Sequence, residues 1–476
     1  MEGSAVGSSG DGDDARSIDA TLIRRLDRSV SGSVVTSSDP EYEDVRTIWN
    51  SRHQRRPSVI VRCGRTSDVA TSIGFARDQG LEVAVRGGAH AIAGYASVEG
   101  GLVIDLSPMN AVAVDVDARR ARVQGGVRVG DLDEATTRVG LAVPAGADPT
   151  TGMGGLTLGG GHGFISRSFG LTCDSVVSAE VVTAAGDVVI ASADEYPDLL
   201  WGLRGGGGNL GVVTAFEFRL HRIPTMFGFG ELCFDARSAR VALQAFFEVS
   251  VDAPDPLHLF AYIQDGAPGM GLEPSAIGQP VLSVGWAYMG NPEHGLGLVE
   301  RLRRTAKPLS EDIRPVTYRA LQETDDTRIL RPRRVDWRSA FMPAFSEAAI
   351  DAFVSRCAAG GPKGSTIAEI YALGGAIARI DPDATAYAHR TAPFEFGCLS
   401  RWDDEADDAE HVARTASAWE AVAGSSAIGA YGNSTGDEGH SRIHDIYPRG
   451  TFEHLSEIKA RWDPNNVFHR NHNVAP

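Results

Sequence analysis

Three glycine-rich stretches, each set beside a β-type stretch, restrict this chain more than any other feature. They are VRGGAHAIAGY (85–95), GADPTTGMGGLTLGGGHGFISRSFG (146–170) and GLRGGGGNLGVV (202–213). Glycine removes the side chain between backbone and ligand, and a turn of free N–H groups after a strand suits a pyrophosphate. The second stretch interleaves its glycines with Leu156, Leu158 and Phe164, unlike a flexible Ser-rich linker, and suits a long flat molecule. The third contains GxGxxG at Gly206, Gly208 and Gly211. A dinucleotide fingerprint needs a helix after it, and here an alternating β stretch follows, so the NAD-type reading fails on context. His90 ends the first turn and reads, on spacing alone, as either a structural residue or a ligand-holding one.

The surrounding pattern is mixed. Residues 58–63 and 81–87 read as strands flanking a helix at 66–79, with Ser67 as its N-cap and Gly80 at its end. This unit implies a right-handed crossover and a parallel pair. Further strands are expected at 102–106 and 121–126, a helix at 131–139, and a hairpin at 176–192 turning at Ala185-Gly186-Asp187. In 211–220, strict alternation places Val212, Thr214, Phe216, Phe218 and Leu220 on one face. A helix is expected over 451–461, with Phe452, Leu455 and Ile458 at helical spacing.

A chain of 476 residues exceeds one simple core. Residues 1–17 read as a disordered tail, 18–222 as a first domain, 223–410 as a second, and 411–476 as a return to the first. With 45 basic against 62 acidic residues, the net charge of −17 argues against nucleic acid or an anionic membrane surface as partner. The cysteines (63, 173, 233, 357 and 398) show no CxxC, and no HExxH occurs, so neither a disulfide framework nor a metal is expected. His162 reads as a loop residue. No leader and no apolar run of membrane length are seen, and a cytoplasmic location is expected.

Taken together, VAVRGGAHAIAGYA, LTLGGGHGFISRSFGLTCDSVVSAEVVTAAGDVV, WGLRGGGGNLGVVTAFEFRLHRI and YPRGTFEHLSEIKARWDPNNVFHRNHNV resemble the vanillyl-alcohol oxidase/p-cresol methylhydroxylase (PCMH) superfamily. The berberine-bridge-enzyme-like branch is the most similar, from about residue 40 to 476. The resemblance implies an α+β fold: a two-subdomain PCMH-type FAD-binding domain, and a substrate domain with a central antiparallel sheet flanked by helices. It implies FAD bonded to His90, with further contacts from Arg86, Gly87, Gly88, Ala89, Thr151, Gly152, Gly155, Gly161, Val213, Asn471 and Asn473. Many members carry a second tether through a Cys in G-x-C-P; here that position is Asp148, so a single bond is expected. Catalytic candidates are Glu369, Tyr371, Tyr431 and Tyr447. Glu369 reads either as a carboxylate facing the flavin or as a strand residue facing solvent.

The expected reaction is oxidation of a small natural-product-like molecule, with hydride passing to flavin N5 and O2 as acceptor, by a monomer or homodimer. Two alternatives stand beside it. A flavin oxygenase acting on a polyketide-like substrate would put label from 18O2 into product, and a non-catalytic flavin carrier would show no bleaching.

Overall fold

The computed structural model describes residues 18–305, 307–323, 333–356, 364–438 and 442–476. The expected tail at 1–17 lies outside the described residues. The fold is α+β, built on three principal sheets.

The first sheet contains β1 (Ser33–Val35), β2 (Val59–Arg62), β3 (Val83–Arg86) and β4 (Leu102–Asp105), in the order β1-β2-β4-β3. The crossover helix Thr66–Gln79 joins β2 to β3, but these strands are not neighbours. β4 lies between them, parallel to both. Leu102, Val103 and Ile104 are wholly buried, as a strand covered on both faces requires. Gly80 closes the helix at φ +64°, where L side chains are strained. Ser67 does not cap its start. Asp68 accepts from Ser31 N and Oγ, Gly32 N and Gly64 N, placing its negative charge at the positive helix end.

The second sheet comprises β5 (Val112–Asp115), β6 (Arg120–Gln124), β8 (Val176–Val182), β9 (Val188–Ser192) and β10 (Val212–Arg219), ordered β5-β6-β10-β8-β9. The short strand β7 (Leu141–Ala142) pairs separately with β11 (His221–Arg222). The 176–192 hairpin forms with Gly186 at φ +94°. The helix expected at 131–139 runs Val129–Thr137. Strict alternation in β10 fails because its pairing with β8 slips between Val213 and Ala215. Val213 therefore joins Phe216, Phe218 and Leu220 in one core, while Val212 faces another.

The third sheet is antiparallel: β12 (Phe227–Asp235), β13 (Leu257–Asp265), β14 (Pro280–Tyr288), β15 (Ser310–Val316), β16 (Arg334–Met342), β17 (Gly364–Ala372) and β18 (Phe394–Trp402). Their order is β15-β12-β14-β13-β17-β18-β16. Helices including Ala236–Val251, Pro292–Thr305 and Asp408–Val422 cover one face and share its apolar core. Asp408–Val422 spans the 410/411 division and packs on β16 and β18. The opposite face carries Phe260, Tyr262 and Tyr371, and turns toward the glycine-rich stretches.

Buried polar side chains fix this junction. Asn50 donates to Ile92 O (2.7 Å) and Val335 O (3.0 Å) and accepts from Val335 N (3.0 Å). Arg390, wholly buried, holds Asp174 through two hydrogen bonds. Helix Arg449–Trp462 buries Leu455 and Ile458 and leads to the tail. There the buried Lys459 ammonium donates to Asp463 Oδ2 (2.8 Å), Asn209 O (2.9 Å) and Phe468 O (2.9 Å). Asn209 itself donates to His472 O and accepts from Val474 N. The tail is thus fastened against the third glycine stretch.

Candidate active site

One cavity of about 410 Å³ runs between the glycine stretches and the inner face of the seven-stranded sheet. At its β3 end the chain turns sharply through Gly87 and Gly88. A Cβ on Gly88 would stand 2.2 Å from Gly152 N, so only glycine lets the two loops touch. Ala89 follows at φ +60°, a costly conformation for a residue with a side chain, and presents His90 to the cavity.

The His90 ring stacks on Trp49 with centroids 5.3 Å apart. Its Nε2 lies 2.9 Å from Thr150 Oγ1, which lies 2.8 Å from Asp148 Oδ1; its Nδ1 lies 3.7 Å from Asp148 Oδ2. Burial lowers the imidazole pKa, with Asp148 opposing, so the neutral form is favoured. Read as a carboxylate, Asp148 only accepts, so the Thr150 hydroxyl donates to it and accepts from His90 Nε2–H. Nδ1 keeps its lone pair.

The expected contacts Gly87, Gly88, Ala89, Thr151, Gly152, Gly155, Val213 and Asn471 line this cavity together with His90. Three others lie outside the lining. The Arg86 guanidinium is spent on the Val45 and Arg46 carbonyls. Gly161 packs beside Thr172 and donates its N–H to Tyr431 Oη. Asn473 also falls outside, whereas His472 lines the cavity and pairs through Nε2 with Gly432 O at 2.9 Å.

The donor set fits an FAD. A Cβ at Gly155 would meet nothing within 4 Å, and one at Gly208 would meet only Asn471 Nδ2, so both backbones face open space in the cleft. Asn471 Oδ1 is buried and has no hydrogen-bond partner among the described residues. It needs a donor from whatever fills the cleft.

On the sheet side, Glu369 points inward and is buried (6% exposed). Tyr371 donates to Glu369 Oε2 at 3.1 Å. Tyr431 Oη accepts from Gly161 N (3.0 Å) and Asn433 Nδ2 (2.9 Å), leaving its own proton free to donate. Burial pushes this phenol pKa up, as it does that of Tyr447. Tyr447 lies beside Gly207.

His162, read from sequence as a loop residue, lines the cavity and pairs through Nε2 with Glu395 Oε2 at 2.6 Å, both side chains largely buried. Burial pulls this imidazole pKa down, but the Glu395 charge and hydrogen bond, with Glu369, outweigh it and raise it. His258 and Trp337 also line the cavity and were not singled out beforehand. A glutamate within the apolar run FEFGC was the one available signal for Glu395. Among the described residues, no group of three or more His, Cys, Asp or Glu is placed to hold a metal ion, and no helix is long and apolar enough to cross a membrane.

The FAD binding domain family matches residues 57–192, and the berberine and berberine-like family matches residues 436–475. (R)-6-hydroxynicotine oxidase of Paenarthrobacter nicotinovorans is 30% identical over 463 residues, covering 94% of this chain and 97% of the relative. The chain belongs to the berberine-bridge-enzyme-like FAD-linked oxidoreductases. This family lies within the vanillyl-alcohol oxidase/PCMH superfamily, and the protein is an FAD-dependent oxidase. The crystal structure of 6-hydroxy-D-nicotine oxidase from Arthrobacter nicotinovorans superposes with a TM-score of 0.85 at 27% identity, covering 94% of this chain and 98% of that one. Glucooligosaccharide oxidase from Acremonium strictum, which carries a 6-S-cysteinyl, 8α-N1-histidyl FAD, has the same fold: TM-score 0.85, 23% identity, 96% and 99% coverage.

Proposed function

We propose that this oxidase carries its FAD through one covalent bond, to His90, and oxidises a small organic molecule in the cytoplasm with O2 as acceptor. The observation that carries this reading is a shared cavity: the His90 turn and the Glu369–Tyr371 pair line the same space. Relatives are named for substrates as unlike as 6-hydroxynicotine and glucooligosaccharides, so the family leaves the substrate open.

Gly87, Gly88, Ala89, Thr151, Gly152 and Gly155 would hold the cofactor on one side, and Gly208, Val213 and Asn471 on the other. Bound there, FAD supplies a two-electron acceptor at N5 and passes the electrons to O2. His90, neutral and with its Nδ1 lone pair free, would hold the cofactor through this bond, which replaces a C–H bond of the flavin's ring methyl and leaves two electrons for O2 to take. Asp148 offers no thiol for a second tether. Cys173 lies outside the cavity lining, and burial holds its thiol pKa well above the usual value. Glu369, buried and joined to the Tyr371 hydroxyl, accepts the substrate proton. Tyr431 donates a hydrogen bond rather than serving as base, because burial keeps its phenol protonated.

Acid precipitation tests the bond. Yellow colour should stay with the wild-type polypeptide and leave with the supernatant in His90→Ala. Complete release from the wild type would overturn the tether.

A further inference from the structure

The second glycine stretch brings His162 to the cavity wall, directly after Gly160 and Gly161 at φ +115° and +80°. Its Nε2 lies 2.6 Å from Glu395 Oε2, and the two side chains are only 11% and 3% exposed. Across β17 and β18, Glu395 pairs with Tyr371 and Gly397 with Glu369, so the ion pair borders the Glu369–Tyr371 pair. The His162 ring lies 5.7 Å from that of Tyr371 and 5.0 Å from that of Tyr431. Burial pulls the imidazole down, but the Glu395 charge and hydrogen bond, with the Glu369 charge, raise it above its ordinary 6.5 and favour the charged form. His258, from β13, is pushed down to about 3 by burial and by the His162 and Arg167 charges, and is neutral. Burial keeps the Tyr431 phenol protonated.

Arg470 and Arg401 also line the cavity, but they serve other places. Arg470 is bound to Glu82 and to Ser97 O beside the tail. Arg401 lies over Trp49, which stacks on His90, four residues along β18 from the row that joins Gly397 to Glu369. His162 is therefore the cation placed with the Glu369–Tyr371 pair. A buried ion pair adds little stability over apolar residues of the same size, because desolvation offsets the attraction. Its position points to the chemistry instead.

We propose that the His162 imidazolium, held by Glu395, speeds the reaction of the reduced cofactor with O2 by stabilising the negative charge that O2 takes on beside Glu369. This rests on the oxidase reading above. Substrate oxidation leaves two electrons, an N5 hydrogen and one negative charge on the cofactor, and the substrate proton on Glu369. Reoxidation passes both electrons and the N5 hydrogen to O2, and the Glu369 proton completes H2O2. The first electron turns a neutral molecule into an anion. A cation already fixed in a buried site stabilises that anion without reorganising.

Anaerobic photoreduction of the holoprotein, followed by rapid mixing with dissolved O2, tests this without a substrate. His162→Gln should be reoxidised about ten-fold more slowly than the wild type, equivalent to about 1.4 kcal/mol of barrier, and His162→Lys should recover part of the rate. In Glu395→Gln the imidazole loses its countercharge, so reoxidation should stay fast in acid and fall at a lower pH than in the wild type. Imidazole NMR of the same holoproteins, labelled with 13C on histidine, reads the charge independently of oxygen. The signal lost in His162→Gln should titrate above pH 6.5 in the wild type and below it in Glu395→Gln. A wild-type rate in His162→Gln, an unmoved pH profile in Glu395→Gln, or a His162 signal that titrates below 6.5 in the wild type overturns the proposal. Should His162→Gln fail to fold, the Glu395→Gln profile still decides. A wild type that holds no flavin, or whose reduced flavin ignores O2, defeats the oxidase reading; one that O2 reoxidises no faster than its variants defeats only the role of His162.

Discussion

Replacing Thr150 by Val isolates what the hydroxyl does for His90, because the two side chains have nearly the same shape. In the structure the hydroxyl joins Asp148 Oδ1 (2.8 Å) to His90 Nε2 (2.9 Å) and so leaves Nδ1 unprotonated and facing Asp148. Trp49 still stacks on the ring, and the variant loses the hydroxyl's bonds to His90 and to the Asp148 carboxylate; the one to His90 contributes about 1 kcal/mol. If that bond selects the ring orientation and tautomer from which His90 attacks, its loss slows attachment about five-fold. The assay starts from apo-protein made in riboflavin-starved cells. It is mixed with FAD, quenched in acid at intervals, and followed by flavin fluorescence in denaturing gels. Thr150→Val should approach the wild-type extent slowly, and Thr150→Ser should restore the rate. Attachment at the wild-type rate in Thr150→Val, or a Ser variant as slow as the Val one, would refute the tautomer argument.

Other consequences can be measured independently. Lys459→Met leaves the Asp463 carboxylate wholly buried without its cation, and denaturant titration should show a loss of about 3–5 kcal/mol, partly recovered in Lys459→Met/Asp463→Asn. A Cβ at Gly397 would stand 2.7 Å from Glu369 Oε1, so Gly397→Ala should displace that carboxylate. Anaerobic bleaching by any substrate that bleaches the wild type should slow about ten-fold while flavin content holds. Burial pushes the Asp133 carboxyl, against its Gln322 hydrogen bond, from an ordinary 3.8 to about 7. The unfolded chain therefore loses this proton first, and stability falls as pH rises from about 4 to about 7. Asp133→Asn should remove that slope and gain about 2–4 kcal/mol at pH 7.5, read from denaturant titrations at pH 5 and 7.5.

How much of this was legible follows from the range of each signal. The glycine turns, the crossover helix and the 176–192 hairpin depend on neighbours within a few residues, and their sequences announce them. Insertion of β4 between β2 and β3 is a long-range pairing that no local pattern encodes, although the uniformly apolar LVI of that strand is its trace. The same limit hid the substrate side. Glu395 and His162, or His258 and Tyr371, meet only when β13, β17 and β18 align and the second glycine stretch folds against them. Arg86 shows the converse: its place beside the glycines suggested a phosphate contact, whereas its charged end is bound to backbone carbonyls of an earlier helix.

The clasp formed by Lys459 and Asn209 links the tail to the third glycine stretch, so the two closing surfaces of the cleft come from distant parts of the chain. Anything seated between them stabilises the folded form by mass action, by an amount that grows with the logarithm of its free concentration. The bond proposed for His90 would abolish that dependence: the occupant could not be diluted away, and protection of the folded form would be a permanent property of each molecule.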